Sequence, residues 1–513
     1  MLRAFKNLNN NLFTRSARKM NVEPFPLNFM EPLNWPPLHL NGNFNEFTRS
    51  QLEICKGIIK PSTKIEDVHI EEFMEISDRF PAEFATDNCR VKAQPPQRRE
   101  IIREQIASAY PIVHECTLML YFSFLEHKQR FGNEKERRIY RDLGLSQFVQ
   151  RLLTKRCVFF YGTSDHYKLL NGSTGDGGFE QIGTAEEQAP LLLEHVLSYD
   201  EIKLSALLYA TTHSEFINNG ARNNAGLVEA DKRSFEREGV IIGMIGARFE
   251  RPEVMEYEDI LVTPSQNTVK NGYGANGEAA ANNRERDYRR MWREFYDEPK
   301  DFLWSDEEEL KSKRFEKQMD MNKFDKLLMS KRYAVSFDTL LLEAEARAKA
   351  AGKPAYIHMV GYGLGVWQVT EVQQELFFEQ LEARMRALGS KLTHIGVMHL
   401  SWFHIPYWGG IRHGRRVNNI EIRISRRNPA DKLDQDMLPI VTYAWDANAL
   451  PGNEFWNHAL GGTSDPAAAA STLISELQNP HINYKYMSGD NLHIASAEYG
   501  VLHIADYAQK IIG

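Results

Sequence analysis

Apolar and polar positions follow two rhythms along this chain, and the rhythm changes near residue 156. From Glu46 to Leu153 apolar residues return every three or four positions, as in "REIIREQIASAYPIVHECTLMLYFSFLEHKQRF". That period puts them on one helical face and predicts a mainly helical region. Ahead of it, "EPFPLNFMEPLNWPPLHLNGN" is rich in proline and asparagine and reads as an extended arm, so residues 21–155 are an arm plus a helical region. Beyond Arg156, short apolar runs take over: "CVFFYG", "IKLSALLYA", "VIIGMIGARF", "AYIHMVGYG", "HIGVMHLSWF", "IEIRIS" and "PIVTYAW". Such runs read as buried strands. Helical stretches such as "VQQELFFEQLEARMRALG" fall between them. Strands interleaved with helices predict an α/β layered sheet over residues 156–513. Residues 264–335 interrupt it. "PSQNTVKNGYGANGEAAANNRERD" reads as a long mobile loop and "DEEELKSKRFEKQMDMNKFDKLL" as a charged helical segment, together an insertion.

Composition narrows the class. The chain has 513 residues, 42% hydrophobic and 26% charged, with a net charge of −7. That is globular composition with no overall basic character pointing to nucleic acid. The four cysteines are widely spaced and fit neither a metal site nor a disulfide framework, which points to an intracellular protein. No run approaches the roughly 18 apolar residues of a membrane span. Residues 1–20, "MLRAFKNLNNNLFTRSARKM", carry five basic residues and no acid. They have the pattern of a mitochondrial transit peptide, with a disordered basic tail as the alternative. The expected location is therefore cytoplasmic, or mitochondrial if the leader is a transit peptide.

In an open α/β sheet, ligands gather beyond the carboxyl ends of strands. Three stretches qualify. In "MVGYGLGVWQV", Gly361, Gly363 and Gly365 lie between a strand and a helix, with Val366 and Trp367 beside them. Glycines there let backbone N–H groups approach an anion such as a pyrophosphate; packing alone also explains a glycine turn. In "YAWDANALPGNEFWNHALGGTSDP", Asp446 ends a strand, and Asn448, Gly452, Asn453, Glu454 and Trp456 follow. Carboxylates and carboxamides hold ribose hydroxyls. A carboxylate also takes a proton from water or stabilises an oxocarbenium ion. Asp465 sits where a helix starts, and a cap explains it equally well. In the third stretch, Gly172 to Ser198, glycine-rich sequence leads to Glu186 and Glu187; a loop with acids at a helix start is the plain alternative.

His394, His399, His404 and His413 are spaced for neither helix nor strand ligation and read as structural, so no metal is expected. Nearby Trp402, Phe403, Trp408, Arg412, Arg415 and Arg416 offer a wall for adenine or a protein partner, or a solvated basic loop.

"AWDANALPGNEFW", followed by "SDPAAAASTLI" and "NPHIN", resembles the MavL-like macrodomain ADP-ribosylhydrolases. More distantly, the chain from Phe159 onward resembles poly(ADP-ribose) glycohydrolases. The resemblance implies a macrodomain-like three-layer mixed sheet with helices on both faces, an N-terminal helical addition, and ADP-ribose as ligand with no cofactor. It implies an enzyme that removes ADP-ribose from modified arginine, with ubiquitin among its protein carriers. Asp446, Glu454 and Asp465 carry over as the catalytic acids; Asn448, Gly452, Asn453, Trp456 and the Gly361–Trp367 loop carry over as the ADP-ribose site. In the glycohydrolases a Gln-Glu-Glu triplet is catalytic. Here it reads Ala185-Glu186-Glu187, which departs at the glutamine. A non-catalytic ADP-ribose reader and a glycohydrolase using Glu186 and Glu187 are the competing readings.

Overall fold

The computed structural model describes residues 34–274 and 283–513. The basic leader lies outside these residues, as do the start of the arm and the centre of the 264–287 loop. Ten strands form one mixed sheet: β1 (Tyr110–His114), β2 (Tyr209–Glu215), β3 (Glu238–Ile245), β4 (Ala355–Met359), β5 (Ile395–Ser401), β6 (Arg416–Val417), β7 (Ile420–Ser425), β8 (Leu438–Trp445), β9 (His493–Ser496) and β10 (Gly500–His503). Their spatial order is β6-β7-β5-β4-β8-β3-β2-β1-β9-β10. The central run β7-β5-β4-β8-β3 is parallel throughout. Strands β5, β4, β8 and β3 are buried along nearly their whole length, which is why they read as apolar runs, whereas β7 alternates buried and half-buried residues.

The alternation of strand β2 shows both faces covered. Tyr209 and Thr211 reach Ser336 and Glu343 of the long helix α3 (Lys326–Ala351). Thr212 and Ser214 bond instead to Gln105 and Leu473 on the opposite side. Helix α3 is buried around nearly its whole circumference, and its buried charges are paired: Arg332 with Glu256, Arg347 with Glu343, and Asp338 with Arg384. Its ends are well specified. Asp325 accepts hydrogen bonds from the N–H groups of Leu327 and Leu328, and Gly352 closes the helix at φ 64°. Sheet and helices thus form the α/β layering expected from the sequence.

Several local readings change. Tyr110–His114, inside the stretch read as helical, is β1, and it pairs with β2 and β9. A proline and the β-branched Ile112 and Val113 break the helical run between helices Arg99–Ala107 and α1 (Glu115–Phe131). "IKLSALLYA" is half helix: Tyr199–Ser205 is helical, capped by Ser198 in a capping box, and β2 starts at Tyr209. The charged segment at 306–328 is not one helix: only the 3₁₀ turn Glu309–Lys311 and the start of α3 are helical. It holds the hairpin Phe315–Lys317 with Lys323–Asp325, and α3 begins within the expected insertion. From the last four residues of the expected loop onward, Arg284–Tyr296 forms helix α2, tied to α1 by His127 and Asp287 at 2.8 Å. No helix among the described residues is long and apolar enough to cross a membrane.

Candidate active site

Because β4, β8 and β3 are adjacent and parallel, their carboxyl ends deliver three loops to one edge of the sheet. These are Gly361–Trp367 after β4, Asp446 after β8, and Gly246–Glu250 after β3. Between them opens a cleft of about 920 Å³, counting space open to solvent.

One wall is the glycine loop. Gly361, Gly363, Gly365, Val366 and Trp367 all line the cleft. Gly363 has φ 74°, and the loop lies so close to the β3 end that a Cβ on Gly246 would sit 2.4 Å from Gly363. Glycine at both places permits two backbones to touch. Trp367 is fixed by its Nε1–H donating to Glu250 at 3.1 Å, while Val366 is 75% exposed at the rim.

The opposite wall is acidic. Asp446, Glu454 and Asp465 converge, with one carboxylate oxygen from each lying within 4.8 Å of the others. Asp446 follows the last residue of β8 and accepts a hydrogen bond from Asn453 Nδ2. Glu454 lies in the 3₁₀ turn Asn453–Asn457. Asp465 lies in the first turn of α4 (Ser464–Ser471), where Thr463 holds the cap position and makes no side-chain cap bond. Asp465 is therefore not a cap. Its Oδ1 accepts from the Gly452 N–H at 2.7 Å, and its Oδ2 has no partner among the described residues. Burial pushes all three carboxyls up from their usual range. Glu454 and the Arg248 cation then act on Asp446 in opposite senses, and Asp446 and Glu454 raise Asp465 further. Three carboxylates this close, one of them buried and two half-buried, need protons or a cation between them.

The other expected contacts divide. Asn453, with φ 32°, is fully buried: its Oδ1 accepts from Phe160 N, and its Nδ2 donates to Phe160 O and to Asp446. It positions the site and leaves no group for ADP-ribose. Gly452, at φ 106°, likewise serves Asp465. Asn448 is buried, donating to Cys157 at 3.5 Å, and Trp456 is buried with its Nε1–H on Pro451 O. None of Asn448, Gly452, Asn453 and Trp456 lines the cleft. Glu186 and Glu187 do not line it either. Glu187 accepts from the N–H groups of Gly183 and Leu193 and pairs with Lys135 at 2.8 Å. These contacts outweigh its partial burial and hold its carboxyl below the usual range. His399 is bracketed by Tyr356 and Ser425, and burial pulls its imidazole down to about 3.

Three charged residues of the cleft went unrecognised in the sequence: Arg222, Arg248 and Glu250. For the last two a signal existed. "GARFE" directly follows a strand, the position that singled out the glycine loop.

The family described as "ADP-ribosylhydrolase MavL-like" matches residues 71–510. The chain belongs to that family. It is 56% identical over 488 residues to the Drosophila melanogaster protein named ADP-ribosylarginine hydrolase CG3568, covering 93% of this chain and 95% of that one. It is 48% identical over 491 residues to ADP-ribosylarginine hydrolase CG2909 of the same species, covering 93% of this chain and 96% of the relative. The family match runs across residue 156 and takes in β1, so it includes most of the helical region, from residue 71 onward, with the strand that region contributes to the sheet.

Proposed function

We propose that this protein hydrolyses the N-glycosidic bond between ADP-ribose and an arginine side chain of a modified protein. The observation that carries the reading is the acidic trio facing the glycine loop across one cleft, in a member of a hydrolase family. The leaving group is a guanidine and the reacting sugar passes through an oxocarbenium-like state. Both are cationic, and buried carboxylates complement them better than water does. Water attacks the anomeric carbon, the bond from that carbon to the guanidine nitrogen breaks, and a proton ends on the released arginine. One carboxylate accepts hydrogen bonds from the ribose hydroxyls and the attacking water; the others face the developing positive charge.

Gly361, Gly363 and Gly365 cradle the diphosphate through backbone groups. Next to the cleft lies a narrow apolar pocket, about 550 Å³ counting space open to solvent, lined among others by Phe216, Trp402, Pro429 and Tyr443. It shares Arg222, Val360 and Ser464 with the cleft, and we place the adenine base there. The reaction as drawn uses no cofactor or metal, so chelator-treated enzyme is expected to keep its activity.

The test is release of ADP-ribose from proteins modified on arginine, serine or glutamate, with ubiquitin included as the carrier that family resemblance implies. Release from arginine alone, abolished by Asp446→Ala, is the expected result. Wild-type turnover by the Asp446 variant would sink the assignment.

A further inference from the structure

We infer that Arg222 holds the phosphate nearer the adenosine, and so makes the protein select arginine carrying intact ADP-ribose over arginine carrying a bare phosphoribosyl group. This deepens the hydrolase reading above and rests on it.

The acidic cleft and the apolar pocket beside it share Arg222, Val360 and Ser464, and of these Arg222 is the charged one. In ADP-ribose the diphosphate joins the adenosine to the ribose that reacts. With the base in the apolar pocket and the reacting ribose at Asp446, Glu454 and Asp465, a side chain bordering both spaces faces the adenosine end of the diphosphate.

The charges around the cleft single out the same residue. Its walls carry Glu250, Asp446, Glu454 and Asp465 against two arginines. Arg248 is already engaged by Asp165 at 2.8 Å and Glu250 at 2.9 Å. Arg222 is half-buried, and among the described residues no hydrogen bond or ion pair engages its guanidinium; burial alone acts on it and pulls it below its usual value. It lies instead over the face of Trp402, 5.7 Å from the ring centre. A partly desolvated cation with no counter-anion is costly. A phosphate supplies that anion, and the fork of a guanidinium matches it with two charge-assisted N–H···O bonds.

The backbone here is held while the side chain stays uncommitted. Arg222 O accepts from the Gly462 N–H at 3.1 Å, and Gly461 packs on the same carbonyl with no room for a Cβ. Asn219 Oδ1 accepts from the Ala221 N–H at 3.2 Å and from Asn224 Nδ2 at 2.8 Å, which pins the turn on either side. Trp402 is 41% exposed and holds φ 69°, a region bulky residues rarely adopt. A purely structural arginine looks different: Arg384 spends its guanidinium on Asp338, with two bonds of 2.7 Å.

The experiment compares wild type, Arg222→Met and Arg222→Lys as full chains. Affinity is measured for ADP-ribose, for AMP, which keeps the adenosine-side phosphate, and for ribose 5-phosphate, which lacks it. Turnover is measured on arginine-linked ADP-ribose and on the phosphoribosyl remnant left when its diphosphate is cut. Arg222→Met is expected to weaken ADP-ribose and AMP roughly 10- to 100-fold and ribose 5-phosphate far less, with the turnover loss in KM rather than kcat. The wild-type preference for the intact substrate is expected to shrink by a similar factor. Arg222→Lys keeps the charge and loses the fork, so it is expected to fall between the two; it carries the test should Arg222→Met not fold. An arginine with only a structural role would weaken all three ligands alike, so equal losses overturn the proposal, as does unchanged ADP-ribose affinity in a folded variant. A wild-type protein that shows the expected affinities but releases no ADP-ribose from arginine overturns the hydrolase reading instead.

Discussion

The Gly452 N–H donates to Asp465 Oδ1 at 2.7 Å, joining the loop after β8 to the first turn of α4. Gly452 has φ 106°, and a Cβ there would meet Ala469 Cβ at 2.9 Å. Gly452→Ala is therefore strained twice. The expected cost is roughly 1–3 kcal/mol of stability, and displacement of Asp465 should lower kcat with it. Thermal unfolding and steady-state kinetics on the one variant check both.

A second prediction concerns the contact between Gly246 and Gly363. Gly246→Ala forces the glycine loop away from the β3 end, because the added Cβ would lie 2.4 Å from Gly363 backbone atoms. ADP-ribose affinity is expected to fall about tenfold or more, since misplaced backbone donors no longer meet the diphosphate. Gly365 has open space around its Cβ position, so Gly365→Ala is the mild control. Calorimetric titration with ADP-ribose separates the two.

Burial raises the Asp465 carboxyl, with Asp446 and Glu454 adding to it. The native state then holds that proton more tightly than the unfolded chain does. Its favourable contribution is full below the unfolded value of about 3.9 and is lost as pH rises toward the higher folded value. At neutral pH Asp465 costs stability. Asp465→Asn is expected to melt roughly 1–3 °C above wild type near neutral pH, and the gap should close on acidification while turnover stays lost. A gap that widens on acidification would mean Asp465 is ionised in the native protein.

Glu187 is bound to the N–H groups of Gly183 and Leu193 and to Lys135, away from the cleft. Glu187→Gln is expected to leave kcat/KM within about twofold and to cost some stability, since a charge-assisted bond to a backbone donor weakens. A loss of activity comparable to that of Asp446→Ala would return the catalytic role to the Glu186–Glu187 pair.

Much of the fold was legible because buried parallel strands advertise themselves as apolar runs; β3, β4, β5, β7 and β8 all fall on runs read as strands. Tyr110–His114 was not, since five residues between two amphipathic helices share their apolar character and lose the helical period for too short a span. The segment at 306–328 misled because charge and turn residues look alike in a hairpin and a solvated helix.

The sequence by itself determined which residue types were available for chemistry: the three acids around a turn, the glycine run after a strand, and the family motif joining them. Tertiary structure decided which of them share a space. Asp465 looked like a helix cap and is a wall of the cleft, because Gly452 draws its carboxylate back across thirteen residues. Asn453 looked like a ligand contact and is an internal bracket, because Phe160, nearly three hundred residues away in the chain, occupies its amide. Arg248 and Glu250 were invisible beside the acids until parallel pairing set the end of β3 next to the end of β8. Such pairings are long-range in sequence, whereas local period and propensity report only on neighbours along the chain.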